Sequence, residues 1–230
     1  MRSWLDDLLF LVYPRYCPAC GHGIPLPSSP FCLACAIALR PSGQHLLLEN
    51  RFTERFWGRL PIHTGSALFA FVKGGRVQRL VHALKYAQRL EVGSYLGYRF
   101  GQCLAGSPHY GEVSCVVPVP LYWRRERERG FNQSVIFGRA VARGLGVPFY
   151  RRALRRMRHT QTQTRRSRQE RWENVAGAFR LARPQQLAGR HVLLVDDVLT
   201  TGATLEACGG LILGLEETHL SLATLAMATE

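Results

Sequence analysis

The chain has 230 residues, of which 47% are hydrophobic, and it carries a formal net charge of +14. This length and apolar content suffice for one sizeable core plus a small appended module, and they exclude a chain that is disordered throughout. Nearly all of the positive charge is arginine, because Lys73 and Lys85 are the only lysines. Arginine favours phosphate or nucleic-acid partners over neutral metabolites, although a solvated basic face explains the charge equally well.

Residues 1–16 are mostly apolar, but Asp6 and Asp7 interrupt the run and no small-residue cleavage site follows. This pattern does not fit a signal peptide, and the run is shorter than the roughly 20 apolar residues that span a bilayer. We therefore predict a short amphipathic helix here, no transmembrane segment, and a cytoplasmic location.

Two Cys-x-x-Cys pairs follow, with eleven residues between them. Four thiolates suit one tetrahedral Zn²⁺ in a closed, structural site. Two disulfides or free thiols are the alternatives, and without an export signal disulfides are less expected. We predict an amphipathic segment and a zinc module within residues 1–40, with these ligands: Cys17, Cys20, Cys32 and Cys35. The isolated Cys103, Cys115 and Cys208 are predicted to pack as small hydrophobic side chains.

Residues 41–64 look irregular and are predicted to be a connector, so that the larger domain covers residues 65–230. The pattern predicts a strand over 67–73 and then a helix over 77–84. This helix carries Lys85 past the buried face. From the residues alone, the Lys85 ammonium either approaches a phosphate or extends along apolar surface into solvent.

A second strand is predicted over 113–119, with Pro118 and Pro120 ending it before a polar loop. Helical spacing resumes near 135–141, and a short strand is predicted over 147–150. Residues 151–171 contain nine arginines and few apolar residues, which disfavours a packed core element. This segment is a solvated basic loop, a mobile loop over a ligand, or a track for single-stranded DNA with Trp123 or Trp172 available for stacking.

The most informative stretch is a buried strand over 192–195 followed at once by Asp196 and Asp197. Small and hydroxyl-bearing residues come next, directly before a helix predicted over 205–213: Thr200, Thr201, Gly202, Ala203 and Thr204. Amide groups at a helix start bind anions, and hydroxyl groups add donors. Paired carboxylates accept hydrogen bonds from vicinal ribose hydroxyls and hold Mg²⁺ through water. A last strand is predicted over 218–227.

This stretch resembles the phosphoribosyl pyrophosphate (PRPP) loop of type I phosphoribosyltransferases. Further upstream, the following segments resemble the ComF/GntX family, which is associated with competence and DNA utilisation: 84–86, 116–134, 160–163, 167–168, 170–171, 174–175, 178–179 and the cysteine pairs. The resemblance covers nearly the whole chain. It implies an α/β type I phosphoribosyltransferase fold with a mostly parallel central sheet and a small amino-terminal four-cysteine module.

The resemblance also implies a function and ligands. PRPP and Mg²⁺ would bind at the acid pair and the 200–204 loop, with pyrophosphate-side or flexible-loop contacts from Lys85, Arg124, Arg129, Thr160 and Gln163. The expected reaction transfers phosphoribose to an unknown acceptor, in a protein associated with DNA uptake and its helicase machinery. The alternative is a single-stranded-DNA-handling protein with a regulatory or inactive PRPP site. Thr200 stands where related purine enzymes often place an aspartate, which disfavours standard purine salvage.

Overall fold

The computed structural model describes residues 15–24, 29–87, 89–158 and 177–228. The strands are β1 (Thr64–Phe71), β2 (Cys115–Pro118), β3 (Leu154–Arg156), β4 (Phe179–Leu181), β5 (His191–Leu199) and β6 (His219–Ala228). The α-helices are α1 (Leu33–Ala38), α2 (Arg76–Tyr86), α3 (Leu90–Ala105), α4 (Trp123–Arg129), α5 (Gln133–Leu145) and α6 (Ala203–Leu213). Three 3₁₀-helices cover Gln44–Leu46, Thr53–Phe56 and Pro184–Gln186.

Four of the strands form a parallel sheet in the order β1-β6-β5-β2. A parallel bridge between Val116 and Phe149 stands where the short strand over 147–150 was predicted. The strands β3 and β4 form a separate antiparallel pair. The predicted mostly parallel α/β sheet is therefore confirmed. Because its four strands are parallel, their carboxyl ends lie at the same edge of the sheet.

The strand β5 lies inside the sheet, between β6 and β2, and both of its faces are covered. Leu193 and Val195 belong to a core cluster with α2, α3 and α5, whereas Val192 and Leu194 belong to a second cluster with α6. This two-sided burial explains the uninterrupted apolar run that precedes the acids. Cys115 and Cys208 are fully buried, and burial raises the pKa of Cys115 to about 11, as expected for small hydrophobic packing.

The helices α3 and α5 pack with their backbones almost in contact. A Cβ atom placed on Gly101 would lie 2.3 Å from the Val141 carbonyl oxygen, and one on Gly144 would lie 2.5 Å from the Tyr98 carbonyl oxygen. Contacts this short leave no room for any side chain at either position. This close approach sets the position of α5, whose amino terminus faces the carboxyl edge of the sheet.

Several element boundaries differ from the predictions. The first strand begins at Thr64 rather than 67, because Thr64 and Ser66 are buried beside β6 as fully as its apolar residues. Residues 44–46 and 53–56 form 3₁₀-helices, and Phe52 and Phe56 are fully buried. Within the arginine-rich segment, residues 154–156 pair with 179–181 because Leu154 and Phe179 are buried.

Among the described residues, no helix has both the length and the apolar character that crossing a membrane requires.

Candidate functional site

The acid pair lies within β5, near its carboxyl end. Hydrogen-bonded pairing with β6 continues from Asp196 to Leu199, so the strand itself holds both carboxylates in place. Burial, and then the nearby Asp197 carboxylate, raises the pKa of Asp196 to about 7. Ser134 and the backbone N–H of Asp197 each donate a hydrogen bond to Asp196 Oδ1, at 2.7 and 2.9 Å, and favour its charged form. Asp196 therefore keeps its proton to a higher pH than an ordinary carboxyl group.

Lys85 supplies the positive charge opposite the acid pair. Its Nζ atom lies 2.7 Å from Asp197 Oδ2, and both side chains are largely shielded from solvent. Lys85 stands in the last turn of α2, where helical spacing turns Leu84 inward and leaves the ammonium to face the carboxyl edge. Of the two alternatives left open for Lys85, the structure shows an ammonium at the site and not one extended into solvent.

The start of α5 joins the ends of β2 and β5. Asn132 caps α5 by accepting a hydrogen bond from the Ser134 backbone N–H at 2.9 Å, and its amide group donates to the Val119 carbonyl at 3.0 Å. Gly130 precedes the cap in the left-handed region (φ 82°), which ends α4 and turns the chain into α5. The cap therefore aims the α5 amino terminus, and Ser134 with it, at Asp196.

The residues after β5 form a tight turn into α6. Gly202 caps this helix in the left-handed region (φ 82°), so α6 begins at Ala203, two residues earlier than predicted. Thr200 is exposed, whereas Thr201 and Thr204 are half-buried. The first amides of a helix have no intrahelical acceptor and carry the positive end of its dipole, so this turn is suited to an anion.

The predicted pyrophosphate-side residues have different positions. The Arg129 guanidinium lies 5.3 Å from the centre of the Tyr86 ring, immediately beside Lys85 in sequence. Arg124 lies 5.2 Å from the centre of the Trp123 ring on α4. Thr160 and Gln163 lie outside the described residues. Arg129 is therefore the better placed of the two arginines to reach a ligand held at the acid pair.

The four predicted metal ligands form one cluster. The Sγ atoms of Cys17, Cys20, Cys32 and Cys35 lie within 4.8 Å of one another, and those of Cys20 and Cys32 are 3.6 Å apart. Four sulfurs bound tetrahedrally to one ion at about 2.3 Å stand roughly 3.8 Å apart, so this spacing fits a single metal ion.

The pKa values of these thiols indicate that the cluster needs a cation to ionise fully. Burial opposes ionisation of Cys17, but backbone N–H donors, first that of Cys32, outweigh it and lower the Cys17 pKa to about 7. Burial and the neighbouring thiols raise the pKa of Cys35 to about 12. One thiolate therefore forms readily and the last does not, unless a cation compensates the accumulated charge.

Comparison with known proteins gives these features a family. Residues 132–228 match the model of the phosphoribosyl transferase domain. The chain is 31% identical over 202 residues to the DNA utilization protein YhgH of Salmonella typhimurium, a match that covers 86% of this chain and 77% of that protein. The chain belongs to the ComF family.

Two further similarities are shorter or more remote. This ComF-family chain is 40% identical over 105 residues to competence protein F of Haemophilus influenzae, but the match spans only 46% of that protein and 44% of this chain. It is 19% identical to the glutamine PRPP amidotransferase of B. subtilis, with a TM-score of 0.42 over 63% of this chain and 30% of the other. The predicted type I phosphoribosyltransferase fold is confirmed by the domain match and the parallel sheet.

Three side chains at the ComF-family site were not predicted from the sequence. Ser134 donates a hydrogen bond to Asp196. Its place in the sequence, two residues after an asparagine that can cap a helix, is the only local feature that points to it. Arg156 of β3 is close enough to Asp196 for their charges to interact, and burial lowers its pKa. Arg59 contacts the turn before α6 from the segment predicted to be a connector. Nothing in the local sequence distinguishes Arg59 or Arg156 from the other arginines.

Proposed function

We propose that this ComF-family protein binds PRPP with Mg²⁺ at the carboxyl edge of its sheet. One observation carries the proposal: two carboxylates, a lysine ammonium and a helix-start turn rich in hydroxyl groups converge at the end of one buried strand. A phosphorylated ribose presents vicinal hydroxyls, a 5′-phosphate and a pyrophosphate, which are the complements of those three features.

Each part of the site has a role in this proposal. Asp196 and Asp197 accept hydrogen bonds from the ribose hydroxyls, and the turn 200–204 holds the 5′-phosphate. Lys85 and Arg129 face the pyrophosphate side, so Lys85 moves from Asp197 to the ligand as it binds. Carboxylate oxygens are hard donors that fit Mg²⁺, which would be held through water and would neutralise pyrophosphate charge.

The proposed reaction is transfer of phosphoribose to an acceptor. The bond between ribose C1′ and pyrophosphate breaks, a bond from C1′ to the acceptor nucleophile forms, pyrophosphate leaves, and the acceptor loses its proton. The positive charge that develops on the ribose ring in such a step is favoured by the nearby carboxylates. The identity of the acceptor, and an association with the DNA-uptake machinery, stay predictions.

Calorimetric titration with PRPP tests the binding proposal, with and without Mg²⁺. We expect Mg²⁺-dependent binding in the wild type and an affinity at least about 100-fold lower in Asp196→Asn/Asp197→Asn, because two charge-assisted contacts of roughly 1.5–3 kcal/mol each are lost. The matched control is Glu49→Gln/Glu112→Gln, which removes two exposed acids away from the pocket. Equal affinity in the two double variants would reject the site.

We propose that the metal of the four-cysteine cluster is a structural Zn²⁺. A closed set of four thiolates matches Zn²⁺ and leaves no open coordination position for catalysis. Elemental analysis of the purified protein should give about one zinc per chain, lost in Cys20→Ser/Cys32→Ser and retained in Cys103→Ser. A metal-free wild type whose thiols are oxidised would instead support disulfides.

Single-stranded DNA binding is a second candidate, favoured by a specific surface. Trp123 is 52% exposed, and the guanidinium groups of Arg124 and Arg127 lie 5.2 and 5.8 Å from its ring centre. Tyr86 is 64% exposed and packs against Arg129. Exposed rings flanked by arginines are suited to stacking bases and contacting the backbone phosphates between them.

The DNA candidate has its own test. Affinity for an oligothymidine strand should fall steeply between about 50 and 200 mM salt if several phosphates are bound. Trp123→Ala should lower affinity by about 10-fold, because one stacked base contributes roughly 1–3 kcal/mol. Trp57→Ala is the control, since Trp57 is 61% exposed but lies beyond the 3₁₀-helix Thr53–Phe56. A flat salt response would remove this candidate.

A further inference from the structure

The turn that precedes α6 is contacted by Arg59, which lies in the segment before β1. Arg59 Nη1 donates a hydrogen bond to the Thr201 carbonyl oxygen at 3.2 Å and another to the Arg55 carbonyl oxygen at 3.0 Å. Its Nη2 atom forms an ion pair with Glu206 in the first turn of α6. One guanidinium therefore joins the segment around residue 55 to both the backbone and the first helical turn of the proposed phosphate site.

The support behind the turn also includes an aromatic ring. A Cβ atom on Gly202 would lie 3.1 Å from the Phe56 ring, and Gly202 already has a positive φ of 82°. Phe56 is fully buried and is the last residue of the 3₁₀-helix Thr53–Phe56. The ring and the guanidinium thus contact adjacent positions of the same turn.

The supporting segment is itself fixed to the sheet. The Asn50 side-chain oxygen accepts a hydrogen bond from the Phe52 backbone N–H at 2.8 Å, and its amide nitrogen donates to the Gly65 carbonyl of β1 at 3.0 Å. A Cβ atom on Gly65 would lie 2.5 Å from the Phe52 ring, so this ring lies directly against the β1 backbone. Arg59 therefore extends from a rigid platform and not from a free loop.

The geometry points to Arg59 as a positioning residue for the proposed 5′-phosphate site, an inference that rests on the proposed function. In a trans peptide the carbonyl oxygen of Thr201 and the N–H of Gly202 point in opposite directions. Because Arg59 holds that carbonyl, it directs the Gly202 N–H away from the guanidinium group.

Arg59 also neutralises a charge that would oppose the ligand. Glu206 lies in the first turn of α6, where a carboxylate is favoured by the helix dipole but repels a phosphate bound at the same helix end. The ion pair with Arg59 offsets this repulsion. Lysine would not replace Arg59, because its single ammonium cannot contact the Thr201 carbonyl and the Glu206 carboxylate with the fixed fork of a guanidinium.

Binding of two separate fragments of PRPP tests the inference. Ribose 5-phosphate probes the 200–204 turn, whereas inorganic pyrophosphate with Mg²⁺ probes the opposite side of the site. Arg59→Met should weaken ribose 5-phosphate binding by about 10-fold, because the Thr201 carbonyl is released and the Glu206 charge is no longer offset, and it should leave pyrophosphate binding unchanged. Arg59→Lys should give an intermediate loss. The control Arg51→Met removes an exposed arginine from the same segment and should change neither affinity.

Amide hydrogen exchange of the ligand-free protein provides a readout that is independent of PRPP. Arg59→Met should speed exchange in residues 200–206 while the amides of β5 and β6 keep their protection. If the wild type binds neither fragment, the proposed function fails, and this exchange pattern alone decides whether Arg59 positions the turn. The inference is overturned if exchange there is unchanged, or if both fragments lose affinity equally, since that would indicate general destabilisation.

Discussion

The two ends of β5 carry buried titratable groups in contrasting surroundings. At the amino end, burial and then the neighbouring His63 and His219 lower the pKa of His191 to about 4. Near the carboxyl end, burial and then Asp197 raise the pKa of Asp196 to about 7. In both cases burial is the largest cause, and it disfavours the charged form. A perturbed pKa therefore does not by itself tell which end is the ligand site.

The partners of the two groups do tell them apart. The His191 ring lies 5.1 and 6.0 Å from the rings of His63 and His219, and its Nε2 is 2.8 Å from Ser221 Oγ. These neighbours keep the imidazole neutral and packed between strand starts. Asp196, in contrast, accepts a hydrogen bond from Ser134 at the start of α5 and lies beside Asp197, whose carboxylate pairs with the Lys85 ammonium. Complementary donors, rather than burial, therefore distinguish the edge at which we propose that the ligand binds.

The largest effect that we expect is on the pH dependence of stability at Asp196. The folded pKa is raised, so the folded state keeps a proton that the unfolded chain releases. Raising the pH from 5 to 7.5 should therefore cost about 2–3 kcal/mol of unfolding free energy through this group. Because His191 titrates over the same range with the opposite sign, this cost should appear as the difference between the wild type and Asp196→Asn when urea unfolding is followed against pH without ligand or Mg²⁺.

The contribution of His191 to the pH dependence of stability should have the opposite sign. Its folded pKa is lowered, so the unfolded chain binds a proton that the folded state does not. Lowering the pH from 7.5 to 5 should therefore cost about 2 kcal/mol through this group. His191→Gln keeps a hydrogen-bonding side chain beside Ser221 and should remove this contribution, so that stability falls more steeply with rising pH than in the wild type. Slopes of the same sign for the Asp196 and His191 variants would contradict the contrast between the two ends.

Substitution of the glycine that flanks each end of β5 should have a smaller effect on stability and should again distinguish the two ends. Gly202 and Gly189 both have positive φ, at 82° and 68°, but a Cβ on Gly202 would meet Phe56 whereas one on Gly189 would enter open space. Each change to alanine carries the left-handed backbone cost of roughly 1–2 kcal/mol. Gly202→Ala should also weaken PRPP binding, because its turn must shift. Calorimetry should show unchanged affinity for Gly189→Ala, and an equal loss would count against the turn as the phosphate site.

How much of this could be predicted from the sequence depends on how local each signal is. The acid pair, the hydroxyl-rich turn and the cysteine cluster are short motifs whose chemistry can be recognised from adjacent residues. The sequence alone does not decide whether the Lys85 ammonium lies at the site or in solvent, because its contact with Asp197 joins positions that are distant in the chain. Arg59 and Arg156 could not be selected among so many arginines, since only the tertiary fold brings them to Thr201 and Asp196.

The smallest expected effect is a fraction of a proton released when PRPP binds. Its raised pKa lets Asp196 keep part of its proton near neutral pH in the ligand-free protein, whereas the ionised carboxylate is the stronger acceptor for ribose hydroxyls. Binding should therefore release part of a proton from this group near pH 7 and less at pH 8.5. Titrations in buffers of different ionisation enthalpy measure the total release, and the same titrations on Asp196→Asn give the part that comes from other groups. Proton uptake at pH 7, or equal release at both values, would show that Asp196 does not meet the ligand as a carboxylate and would place the ribose away from the acid pair.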